Sequence, residues 1–429
     1  MKRSAYTYIF NENGFGYWYN GISNAFFKLP ETISTKLEKL LDTPEVIEKQ
    51  IPTFYIKLVD QGFIINDDIN ELEYIHKRQQ NQIDTKNCMM VLIPTMNCNY
   101  SCWYCVQSHV PSLMSEETKE KILLFIQKKI ESGDIETLQI EWFGGEPFMQ
   151  FKKIVKPLGE KINQLCRNYK IPVTQSATTN GYFLTQPIVN DLKNLGFKMF
   201  QITLDGDREH HNKIKYQDRC ESTFDHVLNN IKNILLESDD MQVLLRINYD
   251  YSNISPEILN QVNEIIPKEI RNRIIIFPQK VWQAKPNHEK SVELFELWKQ
   301  FKKAGYGFRH PLINNGGESC YVNRKNYVTI NYNGDVVKCT SDGNFEQDGL
   351  IKPGKIDSNG DLTWEDNICE ILTKPTGRSK RCTLCRFLPL CYGPCPKFLL
   401  NNDEEYCKME QGDLTYKDAI IEYIELMTQ

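Results

Sequence analysis

From residue 88 onward, short apolar runs alternate with longer stretches in which apolar residues recur every three or four positions. The runs at 89–94, 137–142, 173–178, 198–204, 241–248 and 273–278 predict strands. Between the first two, residues 116–131 place Ile122, Phe125, Ile126 and Ile130 on one helical face, with Ser115 as cap and Gly133 as stop. A helix over 222–236 opens with the capping-box pattern Ser222-Thr223-Phe224-Asp225. Ser255-Pro256-Glu257 opens another, with proline at the first helical position. Six strand–helix units in succession predict an α/β fold, a parallel sheet with outer helices. Right-handed crossovers curl such a series into an incomplete (β/α)6, TIM-like barrel.

The pattern changes on either side. Tyr6 to Phe10 and Gly16 to Tyr19 alternate like a hairpin around Asn13-Gly14. A helix after Leu29-Pro30 would bury Ile33, Leu37, Leu40 and Leu41, Pro44 starts a shorter one, and Phe54–Val59, Gln61-Gly62 and Phe63–Ile65 read as helix end, turn and strand. Residues 1–86 therefore predict a winged-helix-like domain, either a structural appendage or a peptide-docking module with an open strand edge. Residues 72–87 are polar and read as a linker. Residues 87–285 form the barrel, 286–310 carry an amphipathic connecting helix over 288–305, and 311–429 form a cysteine-rich C-terminal domain.

Composition narrows the classes. The 429 residues suffice for two or three domains, and the net charge of −5 implies no nucleic-acid partner. No run of 18 apolar residues predicts a membrane span, and Met1–Tyr8 lacks a signal peptide's apolar core, so a cytoplasmic location is expected. In that setting the 14 cysteines should be reduced, and reduced thiols at tight spacings point to metal.

The tightest spacing follows the first barrel strand. Cys98, Cys102 and Cys105 stand at C-x3-C-x2-C, just beyond the strand's carboxyl end, where α/β barrels place their chemistry. Three thiolates can hold three irons of a [4Fe–4S] cubane and leave the fourth to an exchangeable ligand. A zinc knuckle is the other reading, although zinc favours four ligands in paired arms. The second strand runs into Trp142-Phe143-Gly144-Gly145-Glu146-Pro147, where two glycines permit close backbone approach and the carboxylate can accept from an ammonium group. The third strand ends in Thr178-Thr179-Asn180-Gly181 and the fourth in Thr203-Leu204-Asp205-Gly206. Arg246 and Asn248, at the end of the fifth, point to the same rim as cofactor or substrate contacts.

Together, C-x3-C-x2-C with an aromatic before its last cysteine, GGEP, TNG and xLDG resemble the radical S-adenosylmethionine enzymes over about 88–280. The resemblance implies that Cys98, Cys102 and Cys105 hold a [4Fe–4S] cluster, which cleaves S-adenosylmethionine to a 5′-deoxyadenosyl radical. It assigns the adenine to the backbone of Tyr104 and the methionine amino group to Gly144, Gly145 and Glu146; Asn180 and Arg246, at strand ends on the same rim, are read as further cofactor contacts. Thr203 stands where relatives have a ribose-binding serine, and Lys215 where they have an arginine for the cofactor's carboxylate. A lysine supplies a point charge without the bidentate geometry.

A second array follows: Cys320, Cys339, Cys382, Cys385, Cys391, Cys395 and Cys407, with Asn333-Gly334 turning a hairpin that brings Cys339 back toward Cys320. By spacing alone, zinc ribbons fit as well as clusters. The array resembles the SPASM extension of radical S-adenosylmethionine enzymes. That implies one auxiliary [4Fe–4S] cluster on Cys382, Cys385, Cys391 and Cys407, another on Cys320, Cys339 and Cys395, and three clusters in all. The second lacks a fourth ligand: Asn314 occupies the position of a further cysteine in some relatives, leaving Cys369, water or a substrate thiolate. Some relatives have an aspartate base directly after the second cysteine, where this chain has Thr340; the nearest acid is Asp342. The resemblance points to a maturase of ribosomally made precursor peptides, bound through a leader and reduced by an external flavodoxin or ferredoxin-type donor. Thioether or carbon–carbon crosslinks are the expected products. Formylglycine formation in a sulfatase is the alternative, and a zinc-stabilised binding protein the alternative of another class.

Overall fold

The computed structural model describes residues 1–313, 318–341, 353–365, 367–401, 403 and 405–428. Six parallel strands form its centre: β1 (Asn87–Leu92), β2 (Thr137–Trp142), β3 (Val173–Thr179), β4 (Phe197–Asp205), β5 (Gln242–Tyr249) and β6 (Ile274–Lys280), each hydrogen-bonded to the next. Alternation sets the two faces. Leu138, Ile140 and Trp142 of β2 point outward into the main core, under Ile122, Phe125 and Ile126 of the helix Glu116–Glu131. Gln139 and Glu141 point the other way, into the lumen. The register aligns Val91, Glu141, Ser176 and Met199 across β1 to β4.

Ser115 caps the helix Glu116–Glu131 by accepting from Thr118 N, and Ser222 caps Thr223–Glu237 through Asp225 N. Pro256 lies one position earlier than expected, at the cap of Glu257–Ile265. His288–Lys303 forms the helix leaving the barrel.

Both edges of the barrel sheet are covered by later chain. Gly307–Phe308 pairs parallel with β6, and Tyr327–Ile330 pairs parallel with β1 through Tyr327↔Met89 and Ile330↔Leu92. Asp335–Val337 then pairs antiparallel with Tyr327–Ile330 across the Gly334 turn. The cysteine-rich region is thus continuous with the barrel sheet.

At the N-terminus, Thr7–Glu12, Phe15–Asn20 and Phe26–Pro30 form an antiparallel meander. Asn13 and Gly14 both take positive φ, 51° and 79°, the geometry of a two-residue hairpin turn. Helices Glu31–Glu38, Pro44–Gln50 and Pro52–Asp60 close over Trp18, Leu37, Leu41, Ile47 and Phe63. Ile33, expected on the buried face, is 47% exposed. Ser34 takes the inward position instead: its hydroxyl accepts from the Trp18 indole N–H at 2.9 Å and packs against Gly16, where a larger side chain would collide.

The expected linker over 72–87 is a helix for most of its length, Glu71–Ile83. It buries only Ile75, Gln79 and Ile83, one residue per turn, and so reads as polar. The meander is docked on the C-terminal helix Tyr416–Met427. Tyr8, Tyr17 and Tyr19 share a core with Phe387, Ile420, Tyr423 and Ile424, and Lys28 pairs with Glu425 at 2.6 Å. Among the described residues no helix is long and apolar enough to cross a membrane.

Candidate active site

The loop after β1 is fastened to the loop after β2. Gly145 N donates to Thr95 O (3.1 Å) and Glu146 N to Asn97 O (2.9 Å). Gly144 has φ +124°, and a Cβ there would lie 2.4 Å from Thr95 O; one on Gly145 would lie 2.2 Å from Asn97 O. The glycines are therefore needed to let the cysteine loop lie against the second strand end, as well as to leave room for a ligand.

Cys98, Cys102 and Cys105 line one wall of a cavity of ≈ 680 Å³ that opens into the barrel lumen. Gly144, Gly145, Asn180, Thr203, Lys215 and Arg246 line it too, as does Tyr104. Burial pushes the Cys98 thiol up to about 12 and raises Cys102 and Cys105 in the same direction. Asn180 Nδ2 lies 3.9 Å from Cys98 Sγ and donates to Asn99 Oδ1 at 2.8 Å. His109, which no sequence motif singled out, places Nε2 3.5 Å from Cys105 Sγ.

Glu146 does not face the cavity. Its side chain is fully buried and accepts from Phe148 N (3.0 Å), Thr179 Oγ1 (2.8 and 2.9 Å) and Asn180 N (2.8 Å). Burial pushes its carboxyl up to about 7 against these four hydrogen bonds. Through these bonds Glu146 ties the second strand end to the Thr179-Asn180-Gly181 turn.

Lys215 is similarly engaged. Its Nζ lies 2.9 Å from Asp205 Oδ2 and donates to Thr203 O at 2.9 Å, with both side chains of the ion pair buried. Tyr104 donates its hydroxyl to Asp205 Oδ1, and its carbonyl, the expected adenine contact, accepts from Gln283 Nε2 at 3.1 Å. Beside Asp205, His211 is buried and accepts from Asp205 N through Nδ1 (3.2 Å); burial lowers it to about 3, so the ring is neutral. Arg246 donates through Nε to Asn248 Oδ1 (2.8 Å) and faces the cavity, so it is better placed than Lys215 to offer a guanidinium fork to an anion.

In the C-terminal region, Cys382, Cys385, Cys391 and Cys407 line one compact cavity of ≈ 40 Å³ with Phe387 and Tyr416. Cys339 is buried, with Sγ 3.0 Å from Ser341 Oγ, while Cys320 and Cys395 are exposed. Cys369 lines a separate cavity with Cys88 and Lys338, away from the lumen. Asp342 and Asn314 lie outside the described residues.

Among the described residues no three metal-binding side chains converge as they would around one ion. Tetrahedral zinc draws its sulfurs to about 3.8 Å of one another, whereas a cubane holds its ligands on separate irons, further apart. Three raised thiols on one wall of the lumen cavity suit a multi-iron group, because iron–thiolate bonding supplies the positive charge that burial denies them.

Residues 92–249 match the Radical SAM superfamily, and the chain carries a radical S-adenosylmethionine domain of that superfamily. A [4Fe–4S] cluster and S-adenosylmethionine are the cofactors this family implies. The chain is similar to the radical SAM cyclopropyl synthase TigE of Paramaledivibacter caminithermalis, with 28% identity over 217 residues, 45% of this chain and 44% of the relative. It is also similar to the GTP 3',8-cyclase of Campylobacter jejuni subsp. doylei, with 33% identity over 127 residues, 29% of this chain and 37% of the relative. The chain thus spans less than half the length of each. Its fold resembles Streptococcus suis SuiB bound to precursor peptide SuiA, at TM-score 0.54 and 15% identity over 96% of this chain and 100% of that one. It also resembles anSMEcpe with bound AdoMet, at TM-score 0.51 and 16% identity over 79% and 96%.

Proposed function

We propose that this protein is a radical S-adenosylmethionine peptide maturase that modifies a ribosomally made precursor, by intramolecular thioether or carbon–carbon crosslinking. The observation that carries this reading is the three-thiol loop laid across Gly144-Gly145 at the mouth of a lumen large enough for a nucleoside and a peptide side chain. Cys98, Cys102 and Cys105 hold the cluster. The backbone of Gly144 and Gly145, with Asn180, Thr203 and Arg246, receives S-adenosylmethionine; Glu146, Lys215 and Tyr104 fix the turns that present them. Cluster and nucleoside together supply hydrogen-atom abstraction from an unactivated C–H bond.

Closing a crosslink after one hydrogen is abstracted leaves a proton and an electron to remove. Cys382, Cys385, Cys391 and Cys407 on the one hand, and Cys320, Cys339 and Cys395 on the other, hold auxiliary clusters that take the electron. A flavodoxin or ferredoxin-type donor reduces the first cluster. The N-terminal unit, a winged-helix-like domain, takes the leader, in line with a fold likeness to SuiB that extends over 96% of the chain. Formylglycine formation is the second reading. Thr340 in place of an acid after Cys339, and the N-terminal unit itself, argue against it.

Protein purified without oxygen, mixed with reductant, S-adenosylmethionine and the peptide encoded by the adjoining small reading frame, should yield deoxyadenosine and a peptide two hydrogens lighter. It should carry on the order of 12 irons. A colourless protein with zinc, or deoxyadenosine formation indifferent to the peptide, would overturn the reading.

A further inference from the structure

Glu141 is a carboxylate inside the barrel that pairs with no cation among the described residues. It follows β2's outward Ile140 and faces the lumen, three positions before Gly144, where it lines the same cavity as the three thiols. Its partners are hydroxyls. Thr178 Oγ1 donates to Oε1 at 2.8 Å and Ser176 Oγ donates to Oε2, while Gln201 extends the chain by donating to Thr178 at 3.5 Å. The cations of the lumen are held elsewhere: Lys215 on Asp205, Arg246 on Asn248, and Arg309 with its guanidinium 5.0 Å from the centre of the Phe277 ring. Burial raises the Glu141 carboxyl, and only hydroxyls offset it.

Beyond these hydroxyls, apolar side chains flank the carboxylate in the cavity. Val91 and Met199 share its register row, and Met89 and Leu244 line the same cavity. A buried acid flanked by these apolar side chains complements one kind of group, an aliphatic stem ending in a positive charge. Resting on the peptide reading above, we infer that Glu141 is a specificity-determining residue that receives a lysine or arginine side chain of the substrate peptide and so fixes which residue the abstraction site meets. Hydrogen bonds to a charged partner in such a place are among the stronger ones.

The test is a double-mutant cycle on binding. Fluorescein-labelled peptide from the adjoining reading frame is titrated into the reconstituted holoenzyme and followed by anisotropy, with each Lys and Arg of the peptide changed to Met in turn. One such change should weaken binding to the wild type at least 10-fold and to Glu141→Gln less than 2-fold. Glu141→Asp, which keeps the charge, should retain the preference and serves if Glu141→Gln loses its clusters. Independent, multiplying losses, or Glu141→Gln binding every peptide within 2-fold of the wild type, would overturn the inference while leaving the maturase reading intact. A wild type that neither binds the peptide nor forms deoxyadenosine in response to it would instead overturn the maturase reading, and this inference with it.

Discussion

Replacing Glu146 by alanine separates a positioning role from direct contact with the cofactor. Three donors lose their acceptor in Glu146→Ala: Phe148 N, Asn180 N and Thr179 Oγ1, all buried or nearly so. An orphaned buried donor costs about 1–3 kcal/mol, so the loss of all three should cost the two strand ends that Glu146 ties together about 3–9 kcal/mol of local stability. Glu146→Gln keeps the shape and one acceptor oxygen but sets an amide N–H₂ against a donor, for about 2 kcal/mol. Since about 1.4 kcal/mol corresponds to a factor of ten, hydrogen exchange at the Asn180 amide should quicken by about 100-fold or more in the alanine variant and by about 30-fold in the glutamine variant. Affinity for S-adenosylmethionine, measured by equilibrium dialysis on the reconstituted protein, should fall in the same order. If exchange at 179–181 stays at the wild-type rate while cofactor affinity collapses, Glu146 touches the cofactor, and the positioning argument is refuted.

Gly145→Ala should displace the cysteine loop, because the new Cβ would meet Asn97 O at 2.2 Å; iron analysis should then show about four irons lost, with any iron held by the C-terminal cysteines kept. Cys382→Ser should lose a similar share of iron but keep the change that S-adenosylmethionine induces in the spectrum of the reduced cluster. Lys215→Met leaves Asp205 as an uncompensated buried charge and should cost about 3–5 kcal/mol in urea unfolding, with Asp205→Asn in the same chain restoring part of it. The Glu146 carboxyl, raised by burial to about 7, binds its proton more tightly folded than unfolded. Its stabilising share is therefore complete below about pH 4.3 and is lost as pH rises through 7, by about 3 kcal/mol. The wild type's advantage over Glu146→Gln, followed by urea titration at several pH values, should shrink over that window and change sign toward its upper end.

The barrel was legible because its two periods are clean. Apolar runs of strand length and one-face helices bounded by Ser115, Ser222 and Gly133 leave little choice of element, and all six strands lie within two residues of expectation. The helix Glu71–Ile83 was hidden because it packs by a single stripe, Ile75, Gln79 and Ile83, in an otherwise polar run. In the site, the motifs announced which loops meet but not how their side chains are used. Glu146 and Lys215 carry charges that a sequence offers to a ligand and that the fold instead satisfies internally, through contacts 33 and 10 positions away. Glu141 escaped notice for the opposite reason. Its signal was present in the alternation Leu138, Gln139, Ile140, Glu141, Trp142, with polar residues on the face that a partial barrel turns inward, and recognising the lumen requires knowing that the sheet curls.

The C-terminal strand Tyr327–Ile330 changes what the two cysteine arrays can be to one another. A domain joined by a connecting helix could sit at any distance, and its metal would then serve folding as readily as chemistry. Here that strand takes the place beside β1 that closure of the barrel would otherwise have left to a further barrel strand. It brings Tyr327 into the lumen wall, and the segments flanking it bring Tyr321, Thr340 and Ser341 into the same cavity as Cys98 and Glu141. Cys320 directly precedes Tyr321 and Cys339 directly precedes Thr340, so two thiols of the second array are one residue from the cavity wall on two chain passes. A group held there would border the same cavity as the three thiols, so on the proposed reading an electron could leave the substrate without crossing the barrel. The sheet pairing between Met89 and Tyr327 therefore bears on the chemistry as well as on stability, since it sets the position of the second array relative to the first.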